Sequence, residues 1–329
     1  LEVVVARGVT LVWRTDVHLA DTPPQSRTDN WTETLLGKLK QVGDIAKKVE
    51  AEAVIDGGDL FHLKSPSRNS HEMVGKVASV QASYPCPVYG CVGNHDVKYG
   101  SLDFLDESPL GVLFGTGSIR RLYNQHEAIF ENQGVKVRVV GIPYHGTAYD
   151  MERFKAIKKG DEDYLVVVAH VLASHNGGTM FESEDIISYN RDLLNTDPDV
   201  FLFGHWHKNQ GIDKINGKYF VNIGSLSRGS LNQDDVNRIP SCAVLNFTKE
   251  EIKVIPIPLK VGAATDVFNI ERKIRAEKKE INMGAFVDSL KETLVTREEG
   301  SLMDHIRELP NVSSEIKEKA MHYLELAAK

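Results

Sequence analysis

Five short apolar runs each lead into side chains that bind divalent cations. Val9–Thr15 leads into Asp16-Val17-His18, Ala53–Asp56 into Gly57-Gly58-Asp59, and Pro87–Val92 into Gly93-Asn94-His95-Asp96. Leu165–Ala169 is followed by His170, and Val200–Phe203 by Gly204-His205-Trp206-His207. Asp16 and His18 lie two positions apart, so on an extended chain they point the same way; His205 and His207 repeat the device. The intervening glycines let backbone approach a crowded site. A donor set of carboxylate, amide and imidazole suits manganese, iron or zinc better than calcium or magnesium. Asp16, His18, Asp59, Asn94, His170, His205 and His207 make seven candidate ligands, too many for one ion. Two ions sharing a carboxylate, typically about 3.5–4 Å apart, fit better. Asp59, which follows a central strand, is the natural bridge.

The elements that must position these groups follow from periodicity. The runs at Val9–Thr15, Ala53–Asp56, Pro87–Val92, Leu165–Ala169 and Val200–Phe203 are nearly continuous in apolar residues, as in strands buried on both faces, and Val135–Ile142 is a further strand. Strand carboxyl ends are where open α/β sheets place their sites. Leu35, Leu39, Val42 and Ile45–Ala46 predict a helix over Thr32–Ala51 capped by Thr32, and a second helix should run from Ser65–Ser67 to about Ser83. After Gly211 the pattern changes to the strands Tyr219–Ile223, Cys242–Phe247 and Ile252–Ile257. Alternating strands and helices followed by strands alone predict layered α/β packing. A Gly/Ala linker near Val261–Thr265 divides residues 1–262 from a helical region, 263–329, broken at Gly284, Gly300 and Pro310. Its last helix should start near Ser313 and carry Ile316, Ala320, Leu324 and Ala327 on one stripe.

Charge and composition narrow the function. Lys and Arg number 39 against 46 Asp and Glu, a formal charge of −7. That argues against wholesale non-specific nucleic-acid binding, but not against a nuclease whose cations are bound metals. No apolar run approaches the roughly 18–20 residues of a membrane helix, so no membrane association is expected. Leu1–Ala6 does not read as a secretory signal. Cys86, Cys91 and Cys242 are too few and odd in number for a disulfide framework; they read as small buried hydrophobes, and a cytoplasmic location is expected.

The succession Asp-x-His, Gly-Asp, Gly-Asn-His-Asp, a lone His and Gly-His-x-His, over Thr15–His207, resembles the calcineurin-like metallophosphoesterase superfamily. The resemblance implies an α-β-β-α sandwich, here with a small C-terminal helical region, and two divalent ions. Manganese is the first expectation, with iron, zinc and magnesium the other candidates. It implies that Asp16, His18, Asp59 and His207 hold one ion and that Asp59, Asn94, His170 and His205 hold the other. His95 would contact the phosphate, and Asp96 would orient its imidazole. Hydrolysis would follow from in-line attack by a hydroxide shared between the ions, with no covalent intermediate.

Gly58-Asp59-Leu60-Phe61-His62, soon followed by Pro66, is similar to the DNA-repair exonuclease branch, which includes SbcD-type nuclease subunits and phage-encoded relatives. His62 matches that branch's additional histidine. The implied function is a DNA exonuclease or endonuclease subunit that dimerises and joins a coiled-coil ABC-type ATPase of the SbcC type. That ATPase must be a separate chain, since this one has neither P-loop nor sustained heptads. The alternative is a phosphatase or cyclic-nucleotide phosphodiesterase acting on small phosphoesters. A non-catalytic scaffold is disfavoured, because every candidate ligand is present. Arg228 is a candidate contact for a substrate phosphate. Trp206 is a packing residue or a stacking platform for a base or sugar.

Overall fold

The apolar runs form strands, and their alternation decides which layer each side chain enters. In the computed structural model, residues 6–62, 69–180 and 184–271 are described, with residues 274–275, 306–307, 313–314, 317–318 and 321 beyond them. The strands, in chain order, are β1 (Val9–Arg14), β2 (Ala53–Asp56), β3 (Val88–Gly90), β4 (Arg120–Arg121), β5 (Ala128–Asn132), β6 (Val135–Ile142) and β7 (Tyr164–His170). They continue as β8 (Ala173–Ser174), β9 (Gly178–Met180), β10 (Glu184–Ser188), β11 (Val200–Gly204), β12 (Gly211–Ile215), β13 (Lys218–Asn222), β14 (Ser241–Phe247) and β15 (Ile252–Pro258). One six-stranded sheet has the order β15-β14-β1-β2-β3-β4, the other β12-β13-β11-β7-β6-β5, and β8-β10-β9 form a small third sheet. Strands β1 to β4 are mutually parallel, as are β6, β7, β11 and β13.

Leu11 and Trp13 of β1, with Ala53 and Ile55 of β2, pack against Val137, Val166, Val168, Val200 and Leu202 of the second sheet. The opposite parity, Val12 and Val54, faces a layer of three helices: α1 (Trp31–Lys48), α2 (His71–Ala82) and α3 (Pro109–Gly115). The outer face of the second sheet, with Val167, Phe201 and Phe203, is covered by Phe154, Ile187, Tyr189 and Leu193. This is the expected layered α/β sandwich, though its outer cover on the second sheet is built from short pieces.

Some boundaries differ from the sequence reading. Helix α1 is capped by Asn30, whose side chain accepts the Glu33 N–H at 3.2 Å; Thr32 lies inside the helix and donates its hydroxyl to the Ala20 carbonyl. Helix α2 is capped by Ser70, and residues 63–68, where its start was expected, lie outside the described residues. The chain divides into Leu1–Phe268 and Asn269–Lys329. Val267 and Phe268 belong to the first unit, where the Thr28 N–H bonds the Val267 carbonyl and the Phe268 ring lies against the Arg27 guanidinium. The helical stripe expected from Ser313 falls largely outside the described residues. All three cysteines are free; Cys91 and Cys242 are buried and Cys86 is half-buried. Among the described residues, no helix is long and apolar enough to cross a membrane.

One buried ion pair ties the layers together just where the site begins. The Arg14 Nε donates to Asp56 Oδ2 at 2.7 Å, and its Nη1 donates to the Tyr84 hydroxyl at 2.8 Å. That hydroxyl donates to the Leu39 carbonyl of α1 at 2.5 Å. Burial pushes the Asp56 carboxyl up, against the pull of Arg14. Replacing Arg14 would strand a buried carboxylate, so Arg14→Met should cost about 3–5 kcal/mol. Urea unfolding checks this, and a loss below about 1 kcal/mol, the size of an ordinary substitution, would show that the pair does not lock these strands.

Candidate metal centre

The parallel strands of both sheets end at one edge, and the loops that leave them stay paired beyond the strand ends. After β1 and β2, the Asp16 N–H bonds the Gly58 carbonyl at 3.1 Å, His18 N–H bonds Asp59 at 2.9 Å, and Leu19 N–H bonds Leu60 at 2.9 Å. This pairing places Asp16, His18 and Asp59 side by side. It does so with backbone that is not extended: φ is 54° at Asp16, 54° at His18, 53° at Asp59 and 82° at His205. The same-side geometry expected of an extended Asp-x-His is therefore replaced by left-handed residues, each costing on the order of 1–3 kcal/mol.

Among the described residues three groups could hold an ion: His18, His62 and His95 form one, and the expected ligands form two more that share Asp59. Asp16, His18, Asp59 and His207 form the first of these two; Asp59, His170 and His205 form the second. In the first, His18 Nε2 lies 2.8 Å from His207 Nε2 and 3.8 Å from both Asp16 Oδ1 and Asp59 Oδ2, and His207 Nε2 lies 3.6 Å from Asp16 Oδ1. Donors about 2.1 Å from one ion lie about 3.0–3.4 Å apart at right-angled or tetrahedral bond angles, so this spacing suits a shared cation. In the second, His170 Nε2 lies 3.3 Å from Asp59 Oδ2 and 3.3 Å from Asn94 Oδ1. His170 Nδ1 faces the Gly57 carbonyl at 2.8 Å, which makes Nε2 the nitrogen free to bind.

Asp59 is the pivot. Its Oδ1 accepts the His95 N–H at 2.7 Å, whereas Oδ2 is fully buried and makes no hydrogen bond. That oxygen sits between the two groups, close to an imidazole of each. An orphaned buried acceptor is costly unless a cation meets it. Burial works against charge on Asp59, but His170 and His18 hold its carboxyl well below the usual range. Burial likewise opposes charge on His170, yet the Asp59 carboxylate outweighs it and pushes the imidazole up to about 10. A proton on His170 thus supplies the positive charge that a metal ion would supply there. His18 is lowered by burial and by neighbouring His207, which leaves a neutral imidazole suited to ligation.

Other expectations need correction. Asp96 does not reach the His95 ring: its Oδ2 accepts the Asp59 N–H at 2.7 Å and the Gly93 N–H at 2.9 Å, and its Oδ1 accepts the Phe61 N–H at 3.2 Å. Asp96 therefore shapes the loop that carries Asp59. His95 is oriented instead by the His62 carbonyl, 2.8 Å from its Nδ1. The exposed His62 ring stacks on His95 with centroids 5.0 Å apart, and its Nδ1 lies 3.3 Å from His18 Nδ1. Arg228 is buried: it donates to the Gly262 carbonyl at 2.7 Å and lies over the Phe268 ring. A cleft of about 980 Å³ opens from His18, His62 and His207 towards Ser225, Asn232 and Arg238, and neither Arg228 nor the half-buried Trp206 lines it.

Glu184 is the participant that the sequence reading missed. It sits in an acidic run that resembles a solvated surface, yet its Oε1 is 2.8 Å from His205 Nε2 and accepts the Tyr149 hydroxyl at 2.7 Å. Burial would raise the Glu184 carboxyl, but these two bonds bring it below its usual range. No spacing rule marks this residue.

Over residues 12–209 the chain matches the calcineurin-like phosphoesterase family. It belongs to that family. The family uses a dinuclear metal centre, so the chain is a metal-dependent phosphoester hydrolase, and the His/Asp cluster around Asp59 could hold the ions. The chain is similar to the double-strand break repair protein mus-23 of Neurospora crassa, at 24% identity over 306 residues. The match covers 78% of this chain and 40% of that protein, so the chain spans well under half of its relative's length. Solved structures resembling it include a dimetal phosphatase from Danio rerio (TM-score 0.48, 11% identity, covering 77% of this chain and 100% of that one). Another is a novel archaeal phosphodiesterase (TM-score 0.37, 14% identity, covering 76% and 100%). Likenesses at this level do not bear on function.

The centre depends on close approach of backbone to Asp59. A Cβ on Gly93 would lie 2.1 Å from Asp59 Oδ1 and 2.5 Å from its nitrogen, too close for either to stay in place. Gly93→Ala should therefore keep the fold, read by far-ultraviolet circular dichroism, and reduce phosphoesterase turnover about 100-fold, as a misplacement near 1 Å does. Turnover within a factor of two or so of the parent would mean that Asp59 need not sit where the structure has it.

Proposed function

We propose that this chain hydrolyses DNA phosphodiester bonds at two divalent ions, manganese foremost, held around Asp59. Asp16, His18, Asp59 and His207 hold one ion, and Asp59, Asn94, His170 and His205 hold the other. The observation that carries the two-ion reading is Asp59 Oδ2, buried without a hydrogen bond and 3.3 Å from His170 Nε2 and 3.8 Å from His18 Nε2. The ions, when bound, acidify a water and neutralise the phosphate oxygens.

The remaining work belongs to the chain's own groups. Asp59 uses Oδ1 to fix the His95 backbone and keeps Oδ2 for the metal side. His95 donates its Nδ1–H to the His62 carbonyl, so the doubly protonated ring would present an Nε2–H to a phosphate oxygen or give that proton to the leaving oxygen. His62 stands exposed on the cleft side of the centre, stacked on His95, where a nucleotide chain lying in the cleft would meet it. The Gly58–His62 run and the similarity to a double-strand break repair protein both favour DNA over a small ester.

Labelled single- and double-stranded DNA, tested beside nitrophenyl phosphomonoester and phosphodiester in manganese, separates the readings. DNA scission that stops on chelation is expected. His62→Ala should lower it about 100-fold or more while sparing the small diester. Fast monoester turnover without DNA scission would reassign the chain to small phosphoesters.

A further inference from the structure

We infer that Glu184, held by Tyr149, is a positioning residue that fixes the tautomer of His205 and so directs the Nδ1 of that imidazole to the second ion; the inference rests on the two-ion reading above. The hydrogen bonds behind Glu184 set the direction. The Leu172 N–H donates to the Tyr149 oxygen at 2.9 Å, so the single hydroxyl proton of Tyr149 is available for Glu184 Oε1, 2.7 Å away. Oε1 receives a second contact from His205 Nε2 at 2.8 Å. A carboxylate oxygen accepts, so Nε2 carries a proton, and in the neutral ring that can bind an ion Nδ1 is the nitrogen with the lone pair.

The same element anchors the ring in space. Glu184 opens β10, whose Ile187 N–H bonds the Leu172 carbonyl, so Leu172 is tied to Tyr149 through its N–H and to β10 through its carbonyl. Tyr144 also packs against His205, with ring centroids 5.3 Å apart. His170, the neighbouring imidazole of this group, uses a backbone carbonyl for the same purpose and presents the opposite nitrogen, Nε2. With an ion bound in place of the His170 proton, the second subsite would therefore contain two neutral imidazoles of opposite tautomer, each set by an acceptor behind it. Carboxylates behind metal-binding histidines commonly govern ligand basicity and orientation in this way.

The test has two arms. In metal-free wild-type protein, nitrogen-15 spectra of the histidine rings should show His205 protonated at Nε2; a ring protonated at Nδ1 overturns the inference. In manganese titrations followed by electron paramagnetic resonance, Glu184→Gln should weaken the second ion about 10–100-fold and leave the first within a few-fold. Tyr149→Phe, which keeps the carboxylate but frees it, should weaken the same ion by a smaller factor. Two ions bound by Glu184→Gln as tightly as by wild type overturn the inference, as does equal weakening of both ions with a lower melting temperature, the mark of a merely structural role. A wild-type protein that takes up a single ion overturns the two-ion reading itself, and so is told apart from failure at Glu184.

Discussion

The structure is organised around a deficit of positive charge. Asp16, Asp59 and Asp96 are each 1% exposed or less, and among the described residues none is paired with a lysine or arginine. Asp56, three residues before Asp59, shows the other solution, since Arg14 meets it directly. Buried carboxylates without counter-ions are expensive, and the protein offsets them with backbone N–H groups as far as it can. Asp96 takes three, Asp59 takes one from His95, and Asp16 takes the His205 N–H on both oxygens at 3.1 Å. These donors come from loops at one edge of both sheets, so the carboxylates also hold the sheets' ends together. Asp59 Oδ2 is left with no hydrogen bond and faces only the imidazoles of His170 and His18, where a divalent ion would do most good.

This arrangement has a conformational cost that local packing must carry. Four of the seven candidate ligand residues, Asp16, His18, Asp59 and His205, turn left-handed although such residues favour negative φ. The paired loops after β1 and β2 make such turns persist, because the N–H groups of Asp16, His18 and Leu19 find carbonyls in the facing loop and that of Asp59 finds the Asp96 carboxylate. The segment after β13 reinforces them: the Leu226 N–H bonds the Thr15 carbonyl at 3.0 Å and Ser225 N–H bonds His207 at 2.9 Å. Strained residues supported from several sides are a common property of sites that must be rigid before their ligand arrives.

Much of this was legible in the sequence, for reasons that can be separated. The strands were readable because both faces of β1, β2, β7 and β11 are buried, which leaves continuous apolar runs. The ligands were readable because cation-binding residue types ended those runs in a recurring order. What was hidden depends on contacts remote in sequence. Asp96 lies next to His95, which suggests a side-chain partner, but its carboxylate serves N–H groups 35 and 37 positions away. Arg228 stands between serine and glycine as a surface residue would, and is buried only because the chain returns at Gly262 and Phe268. Thr32 lost the cap of α1 to Asn30, two residues earlier, because its hydroxyl is drawn to Ala20. Glu184 could not be told from a solvated acid, since its value comes from Tyr149 and His205, neither of which is near it in the chain.

The two halves of the centre differ in a way that bears on turnover. On the His170 side every imidazole has an acceptor behind it: Gly57 for the fully buried His170, and Glu184 for His205. On the His18 side the outer ligand, His207, is 49% exposed, and His18 is edged by the rings of His62 and His95 rather than held by a carboxylate behind them. A cation in the first setting would be held by groups with little freedom to move, while one in the second would share its surroundings with solvent and the open cleft. On the proposed reading, the buried half fixes the geometry and the open half admits the phosphate. An enzyme that must bind long substrates and release them repeatedly gains from this division, because rigidity near Asp59 preserves alignment while exposure at His207 and His62 permits exchange.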